Sequence, residues 1–354
     1  MLEKIEELIF VSIIIPCRNE GKFIGKCLDS IIEQDYLLLH PSFSKDFGRT
    51  QQGFGGQAKE NLEVLVVDGV SEDGTKKIVE NYSKKYPFVK LLDNPKKFTP
   101  FALNIGIKNS KGEVIIRMDS HASYERDYIS KCVKYLKEYN ADNVGGVIKT
   151  KPAVNTSIAK AIAFCVSSFF GAGGSHFRTG SKNPRWVDTV FGGCYKKEVF
   201  DKIGLFNEKL IRSQDFEFNL RLKKAGGKIL LVPDIVAYYY PQPTLEGFFK
   251  HNFEDGVWAI LPLKFVKVPF NLRHYIPLLF VSGFILTFIF GIFFFPARVL
   301  FDLVFGSYLL LNLFFSFGIA LRRGFKYLFI MPIVFTYRHF GYGLGSIFGL
   351  IKKI

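Results

Sequence analysis

Two side chains that can bind a metal ion stand two positions apart in the stretch RMDSHASY, residues 117–124. Asp119 carries a carboxylate and His121 an imidazole, and both come after the apolar run GEVIIRM, which has the composition of a buried strand. Side chains two residues apart in a strand point to the same side, so both groups would face one cleft if the strand continued. Taken alone, this spacing is better explained by a histidine hydrogen-bonded to the next loop, and a divalent metal site is the alternative.

Two earlier apolar runs end in polar side chains of the same kind. Arg18 and Glu20 follow the run VSIIIP, Asp68 closes the run EVLVVD, and Ser71 comes three residues later. The runs alternate with helical patterns, which argues for a parallel sheet with helices on both faces, and in such sheets ligands bind beyond the carboxyl ends of the strands. Three strands would thus bring carboxylates to one edge. Taken singly, Glu20 is equally well explained as a solvated side chain and Asp73 as a helix cap.

The elements that position these groups follow from the same patterning. The predicted strands are VSIIIP, EVLVVD, VKLLDN and EVIIRMD, and the predicted helices lie in GKFIGKCLDSIIEQ, EDGTKKIVENYSKKY and TPFALNIGIKNS. The first helix would bury one face, made of Phe23, Cys27, Leu28 and Ile31. The stretch 37–60 is rich in Gly, Gln, Ser and Lys and is too long for an ordinary connection, so it is predicted to be a mobile insertion.

The composition limits the classes of protein to consider. The formal net charge is +15, but the lysines and arginines are scattered and several flank apolar segments, so no nucleic-acid partner is expected. The five cysteines have no ligand spacing and are odd in number, which favours neither a zinc site nor a disulfide framework. A reducing, cytosolic setting agrees with this cysteine usage.

Three long apolar runs follow Tyr275. Transmembrane helices are predicted at about 276–295 and 299–320, because about 20 apolar residues span a hydrocarbon core of roughly 30 Å. The third run, 327–351, contains Arg338 and His339 and is predicted to be membrane-associated or re-entrant, since an arginine at the bilayer midplane is costly. Basic residues beside the runs indicate a multi-pass protein of the cell membrane with a cytoplasmic catalytic domain. Two and three spans both remain open.

Four blocks of sequence carry a resemblance to a known family: VSIIIPCRNEGKFIGKCLDSI, EVLVVDGVSEDGT, NIGIKNSKGEVIIRMDSHA and FGGCYKKEVFDKIGLFNEKLIRSQDFEFNLRLKKAG. With the apolar tail they resemble membrane-attached glycosyltransferases of family 2, and DSHA resembles their succinoglycan-biosynthesis branch. The resemblance implies an α/β domain of the GT-A nucleotide-diphospho-sugar transferase fold, with a mostly parallel sheet and helices on both faces. It implies a cytosolic GT-A domain at 1–262 and a membrane domain of α-helical segments at 263–354.

The family's usual metal motif is Asp-any-Asp, and this chain departs from it. The resemblance assigns the metal ligands to Asp119 and His121 and implies Mn²⁺ or Mg²⁺ as cofactor. Imidazole suits the later divalent metals better than magnesium, so the histidine favours Mn²⁺. The ion would bridge two phosphates of a UDP- or GDP-linked sugar and neutralise the charge that develops as the glycosidic bond breaks.

The resemblance also assigns residues to the donor and the acceptor. The nucleoside-binding positions are Pro16, Arg18, Glu20, Asp68 and Ser71. Asp215 is the expected base for the acceptor hydroxyl, although Gln214 replaces the family's usual glutamate before it; Glu217 competes for that role, and Asp215 would also serve as a helix N-cap. Arg221 would face the diphosphate or form a surface ion pair, and Gly193 would let a sugar approach the backbone closely.

The resulting prediction is a metal-dependent, inverting glycosyltransferase of the hexosyltransferase type. It would move a single sugar from a nucleotide sugar to a lipid-linked or cell-surface glycan acceptor. A processive polysaccharide synthase is the alternative, but the Gln-x-x-Arg-Trp motif of such enzymes is absent from the sequence. A nucleotidyltransferase would need a Gly-rich phosphate loop where the chain has PCRNEGKF, and a non-catalytic membrane scaffold would leave the aligned carboxylates unexplained.

Overall fold

The computed structural model describes residues 9–37, 61–265 and 275–352. Packing divides the chain into a first unit, which falls within Met1–Ile148 and Gly180–Tyr239, and a second unit, which falls within Lys149–Thr179 and Tyr240–Ile354. The predicted boundary at residue 262 lies inside the second of these packing units. Leu37 ends a short 3-10 helix, and the rest of the predicted mobile insertion, 38–60, lies outside the described residues.

The first unit is built around one mixed sheet. In the described part of the chain its strands are β1 (Val11–Cys17), β2 (Leu62–Asp68), β3 (Val89–Asp93), β4 (Val114–Arg117), β5 (Ala122–Tyr124), β6 (Asn143–Thr150), β7 (Arg185–Trp186), β8 (Cys194–Lys196) and β9 (Ile229–Tyr239). The order across the sheet is β3-β2-β1-β4-β8-β6-β9-β5, and β7 pairs with β9.

The two halves of this sheet differ in strand direction. β1 pairs in parallel with both β2 and β4, and β2 pairs in parallel with β3, as the alternation of apolar runs and helices predicted. β8 lies antiparallel to β4 and to β6, and β5 lies antiparallel to β9. The predicted α/β fold class is confirmed, but the sheet is mixed rather than mostly parallel, since the strands after β4 join by antiparallel pairing.

Helices cover the sheet in the first unit and form most of the second. In chain order they are α1 (Ile24–Ile32), α2 (Thr75–Lys85), α3 (Thr99–Asn109), α4 (Tyr128–Glu138), α5 (Ser157–Ser167), α6 (Phe169–Ala172), α7 (His176–Thr179), α8 (Glu198–Ile203), α9 (Gln214–Lys224), α10 (Leu245–Ile260), α11 (Ile276–Gly291), α12 (Phe295–Arg323) and α13 (Tyr327–Ile351). Those within the first unit are α1 to α4, α8 and α9.

The core of the first unit lies between the sheet and its helices. Every residue of β2 is buried, as are all but one of β1, and α1 buries Ile24, Cys27, Leu28 and Ile31 against them. Burial of such apolar side chains is the main favourable term in folding. Phe23, which was predicted on this buried face, is 45% exposed, because it stands at the N-cap of α1 with non-helical backbone angles.

The second unit contains the long apolar helices. Of the described residues, only α12 is both long and apolar enough to cross a membrane, and α11 is apolar but has 16 residues. Many large apolar side chains of α12 are exposed, among them Leu310, Phe314 and Leu321. The predicted helices at 276–295 and 299–320 thus correspond to α11 and α12, with α12 longer than predicted at both ends.

The predicted third apolar segment forms one continuous helix, α13, with Pro332 inside it. Its polar pair does not interrupt it, because both side chains have partners within the second unit. The Arg338 guanidinium donates to the side-chain oxygen of Asn252 and to the backbone oxygen of Gly171, and one ring nitrogen of His339 lies 2.9 Å from the Phe170 carbonyl oxygen. These contacts satisfy polar groups whose burial in an apolar environment would be unfavourable without hydrogen bonds.

Small residues allow α13 to pack closely against α10. A Cβ added to Gly345 would lie 2.0 Å from the backbone oxygen of Phe253, and one added to Gly256 would lie 2.0 Å from that of Tyr342. Neither position has room for a side chain. Close backbone approach through small residues is typical of helix pairs in membrane proteins.

Candidate active site

The loops that follow β1 and β2 are locked together by hydrogen bonds. The backbone N–H of Asn19 donates to Ser71 Oγ over 2.8 Å, and the Asn19 side-chain oxygen accepts from the N–H of Glu72 over 2.9 Å. The N–H of Glu20 donates to Thr75 Oγ1 over 2.8 Å. These bonds hold both loops at the carboxyl edge of the sheet, where parallel α/β sheets bind ligands.

Asp68 and Ser71, both predicted to bind the nucleoside, are bonded to each other. The Asp68 carboxylate is buried and accepts from the Ser71 N–H over 3.0 Å and from Ser71 Oγ over 2.5 Å. Pro16 is half-buried in β1, and Arg18 is exposed just beyond the strand. The structure thus brings these four positions to adjacent strand ends, and Asp68 also fixes the conformation of its own loop.

Asp73 is held in the same pair of loops. Its carboxylate accepts from the backbone N–H of Gly21 over 2.9 Å and from the N–H of Thr75 over 3.1 Å. Gly74 separates Asp73 from Thr75, which is the first residue of α2. Gly74 is the N-cap of α2, so Asp73 is not the cap, but its carboxylate accepts from the N–H of the first helical residue and its hydrogen bonds join the two loops.

The predicted metal ligands lie just after β4. The N–H of Asp119 donates to Tyr124 Oη over 2.7 Å, and its carbonyl accepts from Cys27 Sγ over 3.6 Å and from the Ala122 N–H over 3.1 Å. Three contacts therefore fix the Asp119 backbone. His121 Nδ1 lies 3.3 Å from Oε1 of Glu20, and the two side chains are 42% and 21% exposed, respectively.

A buried arginine joins the predicted metal ligand to the predicted base. Arg117, the last residue of β4, places Nη2 3.0 Å from Asp119 Oδ1 and Nη1 3.2 Å from Asp215 Oδ2. The Arg117 side chain is 12% exposed. Asp215 comes from α9, so this ion-pair chain connects two elements that are far apart in sequence.

Asp215 lies in the first turn of α9 and is one-third exposed, with 33% of its side chain accessible. The N-cap position is taken by Ser213 in a left-handed conformation, so Asp215 is not the cap. The neighbouring Gln214 is buried, and its side-chain oxygen has no hydrogen-bond partner among the described residues. An exposed carboxylate at this edge can accept a proton from a bound hydroxyl group.

Arg221 and Glu217 form a separate pair in the structure. The guanidinium is 2.6 Å from Glu217 Oε1 and donates to the backbone oxygens of Ile203 and Leu205 over 2.5 and 2.8 Å. Glu217 is buried under this arginine. Arg221 therefore forms an ion pair with a buried carboxylate rather than the predicted surface pair, and its contacts do not bring it to the Asp119 cluster. Glu217 is less accessible than Asp215 as a base.

Two glycines with positive φ connect β8 to Arg117. Gly192 has φ +68° and Gly193 has φ +105°, and the Gly193 carbonyl accepts from the Arg117 N–H over 3.0 Å. A Cβ on Gly193 would lie 2.5 Å from the ring of Tyr195. Packing and backbone conformation therefore require glycine at 193, independently of the predicted approach of a sugar.

The charges in this cluster shift the pKa of both predicted ligands. Burial raises the pKa of Asp119, but the positive charges of Arg117 and His121 outweigh it and hold that pKa below its ordinary value. Burial opposes protonation of His121, but the hydrogen bond to Glu20 and the charge of Asp119 outweigh it and raise the pKa of His121. Asp119 is therefore ionised at neutral pH.

The donor set fits a divalent metal ion that takes its other ligands from the substrate. Within the described residues, Asp119 Oδ2 and His121 Nε2 have no hydrogen-bond partner, and no group of three or more His, Cys, Asp or Glu side chains has metal-binding geometry. Metal-binding histidines commonly donate their second ring nitrogen to a carboxylate, as Nδ1 of His121 is placed to do toward Glu20. The protein would thus supply two ligands.

Sequence reasoning missed Arg117 and the contact between Glu20 and His121. The sequence did contain a signal for the Arg117 ion pair. This arginine lies near the end of an apolar strand and two residues before an aspartate, and a buried cation needs a carboxylate partner. The resemblance assigned Glu20 to the nucleoside, and its contact with His121 could not be predicted because it joins loops that local patterns do not relate.

The fold is similar to that of solved glycosyltransferases. The mannosyltransferase PcManGT from Pyrobaculum calidifontis, in complex with GDP-Man and Mn²⁺, has a TM-score of 0.59 at 18% identity over 98% of this chain and 88% of that chain. S. aureus TarS 1–349 in complex with UDP-GlcNAc has a TM-score of 0.50 at 17% identity over 93% and 92% of the two chains. The first unit therefore has a GT-A fold.

Sequence comparison identifies the family. The profile of "Glycosyl transferase family 2" matches residues 12–204. A dolichyl N-acetyl-alpha-D-glucosaminyl phosphate 3-beta-D-2,3-diacetamido-2,3-dideoxy-beta-D-glucuronosyltransferase of Methanococcus voltae is 32% identical over 76% of this chain and 78% of that protein. The succinoglycan biosynthesis protein ExoA of Rhizobium meliloti is 29% identical over 73% and 76%. The chain belongs to glycosyltransferase family 2 and is a glycosyltransferase.

Proposed function

We propose that this glycosyltransferase is metal-dependent and inverting, and that it transfers one sugar from a UDP- or GDP-linked donor to a lipid-linked or glycan acceptor. The observation that carries the proposal is the single cluster at the carboxyl edge of the sheet. In it Asp119 and His121 lie beside Glu20, and Arg117 joins Asp119 to Asp215. One site thus combines metal ligands with a candidate base.

Asp119 and His121 would hold Mn²⁺ or Mg²⁺ at the donor. When bound, such an ion neutralises the negative charge that the departing diphosphate develops. Glu20 would keep the imidazole oriented, with Nδ1 beside the Glu20 carboxylate and Nε2 left to hold the ion. The imidazole favours Mn²⁺ over Mg²⁺.

Asp215 would act as the base on the acceptor. Its carboxylate takes the proton of the acceptor hydroxyl as the oxygen attacks the anomeric carbon, and the nucleoside diphosphate leaves from the opposite face with the bonding electrons. One displacement of this kind inverts the anomeric configuration. A positioned base contributes roughly 10² to 10⁴ in rate.

The strand ends beside the cluster would receive the nucleoside. Pro16 and Arg18 lie after β1, and Asp68 and Ser71 lie after β2 in the adjacent strand. Their loops are cross-linked by hydrogen bonds before any ligand arrives, and preorganisation of this kind lowers the entropy cost of binding.

The second unit would attach the enzyme to the cell membrane. The exposed apolar side chains of α12 need cover from lipid or another apolar surface, and α11 precedes it by a short connection. We infer a multi-pass arrangement in which α11 and α12 span, α13 is membrane-associated, and the catalytic unit is cytoplasmic. Arg322, Arg323 and Lys326 would then face the cytosol, as basic flanking residues usually do.

The acceptor class follows from the relatives and the membrane attachment. The name of the Methanococcus voltae relative specifies a dolichyl-linked phosphate acceptor, and that of the Rhizobium meliloti relative specifies succinoglycan biosynthesis. The first of these names specifies a lipid-linked saccharide acceptor. A lipid-linked saccharide is therefore the first acceptor to test.

The test uses the full chain purified in detergent. UDP- and GDP-linked sugars are supplied with Mn²⁺, with Mg²⁺ or with chelator, and released nucleoside diphosphate and product length are measured. We expect metal-dependent release of nucleoside diphosphate and addition of one sugar, lost in Asp119→Ala but kept in Asp201→Ala, which removes an exposed carboxylate on α8. Polymer would favour a processive synthase, formation of a nucleoside triphosphate and a sugar 1-phosphate on addition of pyrophosphate would indicate a nucleotidyltransferase, and full activity in chelator would overturn metal dependence.

A further inference from the structure

We propose that Arg117 is a positioning residue that sets the distance between the metal-binding carboxylate of Asp119 and the base Asp215, an inference that rests on the proposed function. The family match and the strand-end motifs do not assign a role to this arginine. Its guanidinium is the only described group that contacts both carboxylates.

The geometry of the guanidinium makes this role possible. Nη2 lies 3.0 Å from Asp119 Oδ1 and Nη1 lies 3.2 Å from Asp215 Oδ2, so each carboxylate occupies one end of a rigid planar fork. A lysine would carry the same charge, but concentrated on one ammonium group at the end of a flexible side chain. The spacing between the two carboxylates is therefore fixed by the shape of the arginine as well as by its charge.

The backbone on which the fork stands is itself fixed. The Arg117 N–H donates to the Gly193 carbonyl over 3.0 Å, within the pairing of β4 with β8. Asp119, two residues on, is tied by its N–H to Tyr124. The arginine thus fixes the position of Asp215, which lies on α9, relative to the rigid strand β4.

The incomplete hydrogen bonding of Arg117 lowers its contribution to the stability of the fold. Its Nε and Nη1 are buried and lack a well-aligned hydrogen bond among the described residues. A buried charge with unsatisfied donors is costly, and replacing a buried ion pair with apolar side chains is often neutral or stabilising. A buried group without hydrogen-bond partners needs an explanation. Positioning the carboxylates of Asp119 and Asp215 explains why Arg117 is kept there.

The arrangement also leaves the other oxygen of Asp119 available. Arg117 contacts Oδ1, whereas Oδ2 has no hydrogen-bond partner among the described residues. A metal ion on Oδ2 and the arginine on Oδ1 can therefore bind the same carboxylate together. Partners that orient ligating carboxylates typically affect metal affinity by about 10- to 100-fold.

The experiment compares Arg117→Lys, which keeps the charge and removes the fork, with the wild-type full chain in detergent. Mn²⁺ binding is followed by the electron paramagnetic resonance of free Mn²⁺ in the presence of UDP or GDP. We expect Mn²⁺ affinity to fall about 10-fold or more. Sugar transfer is measured in a double-mutant cycle with Asp215→Asn, and we expect that substitution to cost a much smaller factor in the Arg117→Lys background, because the base is already misplaced.

The matched control is Lys90→Met, which removes the partner of the buried carboxylate of Glu63 elsewhere in the first unit. It should lower the melting temperature but leave Mn²⁺ affinity unchanged. Equal Mn²⁺ affinity in wild type and Arg117→Lys, with the same Asp215→Asn factor in both backgrounds, would overturn the inference. A wild-type chain that neither binds Mn²⁺ with UDP or GDP nor releases nucleoside diphosphate would refute the proposed function instead.

Discussion

Glu20 offers the most direct test of how the site is built. Family resemblance assigns its carboxylate to the nucleoside, whereas the structure places Oε1 3.3 Å from His121 Nδ1. The two assignments predict different consequences for Glu20→Gln. Because the Glu20 backbone N–H, which bonds Thr75, is unchanged by the substitution, the loop itself should stay in place.

The expected magnitude follows from the type of contact. A hydrogen bond to a charged group contributes about 1.5 to 3 kcal/mol, and the lower end applies here because the two side chains are 42% and 21% exposed. A loss of about 1.5 kcal/mol corresponds to roughly 10-fold weaker Mn²⁺ binding. Glu20→Ala should lose more, because glutamine can still accept a hydrogen bond from Nδ1.

Calorimetric titration separates the two assignments. Mn²⁺ is titrated into the full chain with UDP or GDP present, and UDP or GDP is titrated separately in chelator. Glu72→Gln is the matched control, since that neighbouring carboxylate is exposed and its backbone N–H alone contacts Asn19. Unchanged Mn²⁺ affinity together with weaker nucleotide binding in chelator would show that Glu20 contacts the nucleoside and that the structural argument is wrong.

Three further outcomes are expected. His121→Asp should retain part of the turnover and shift the preference from Mn²⁺ toward Mg²⁺, measured as the ratio of rates with the two ions; an unchanged ratio would exclude His121 as a ligand. Asp215→Asn should reduce transfer by roughly 10² to 10⁴ with nucleotide affinity nearly intact, and a loss of affinity at constant turnover would contradict its role as base. Gly193→Ala, whose Cβ would lie 2.5 Å from Tyr195, should lower the free energy of unfolding by about 2 kcal/mol or more, measured by thermal unfolding. The control is Gly226→Ala, at φ +83° with open space around it, which should lower the free energy of unfolding only through backbone strain.

Local sequence patterns were sufficient to predict the parallel half of the sheet. β1 and β2 are short, nearly uninterrupted apolar runs, each followed by a helix with one apolar face, and such segments specify their own type and direction. Asp119 and His121 were found together because they are neighbours in sequence at the end of one such run.

Contacts between distant segments could not be predicted in this way. The antiparallel pairing of β8 with β4, the ion pair of Arg117 with Asp215, and the contact of Glu20 with His121 each join parts of the chain that have no common local pattern. The contacts of Arg338 could not be predicted for the same reason, since the groups that bind it come from α10 and α6.

The charges of the cluster give a reason for the chain's two departures from the usual family motifs. Asp119 and Asp215 contact the Arg117 guanidinium and Glu20 contacts His121, so three carboxylates and one guanidinium give a formal charge of −2 while His121 is neutral, as a metal ligand would be, and a divalent cation would balance it. An aspartate at 121 would add a negative charge there. A glutamate in place of Gln214, whose buried side-chain oxygen has no partner among the described residues, would add another beside Asp215 at a high desolvation cost. With the proposed metal ion bound, the histidine and the glutamine would both keep the charge of this cluster balanced.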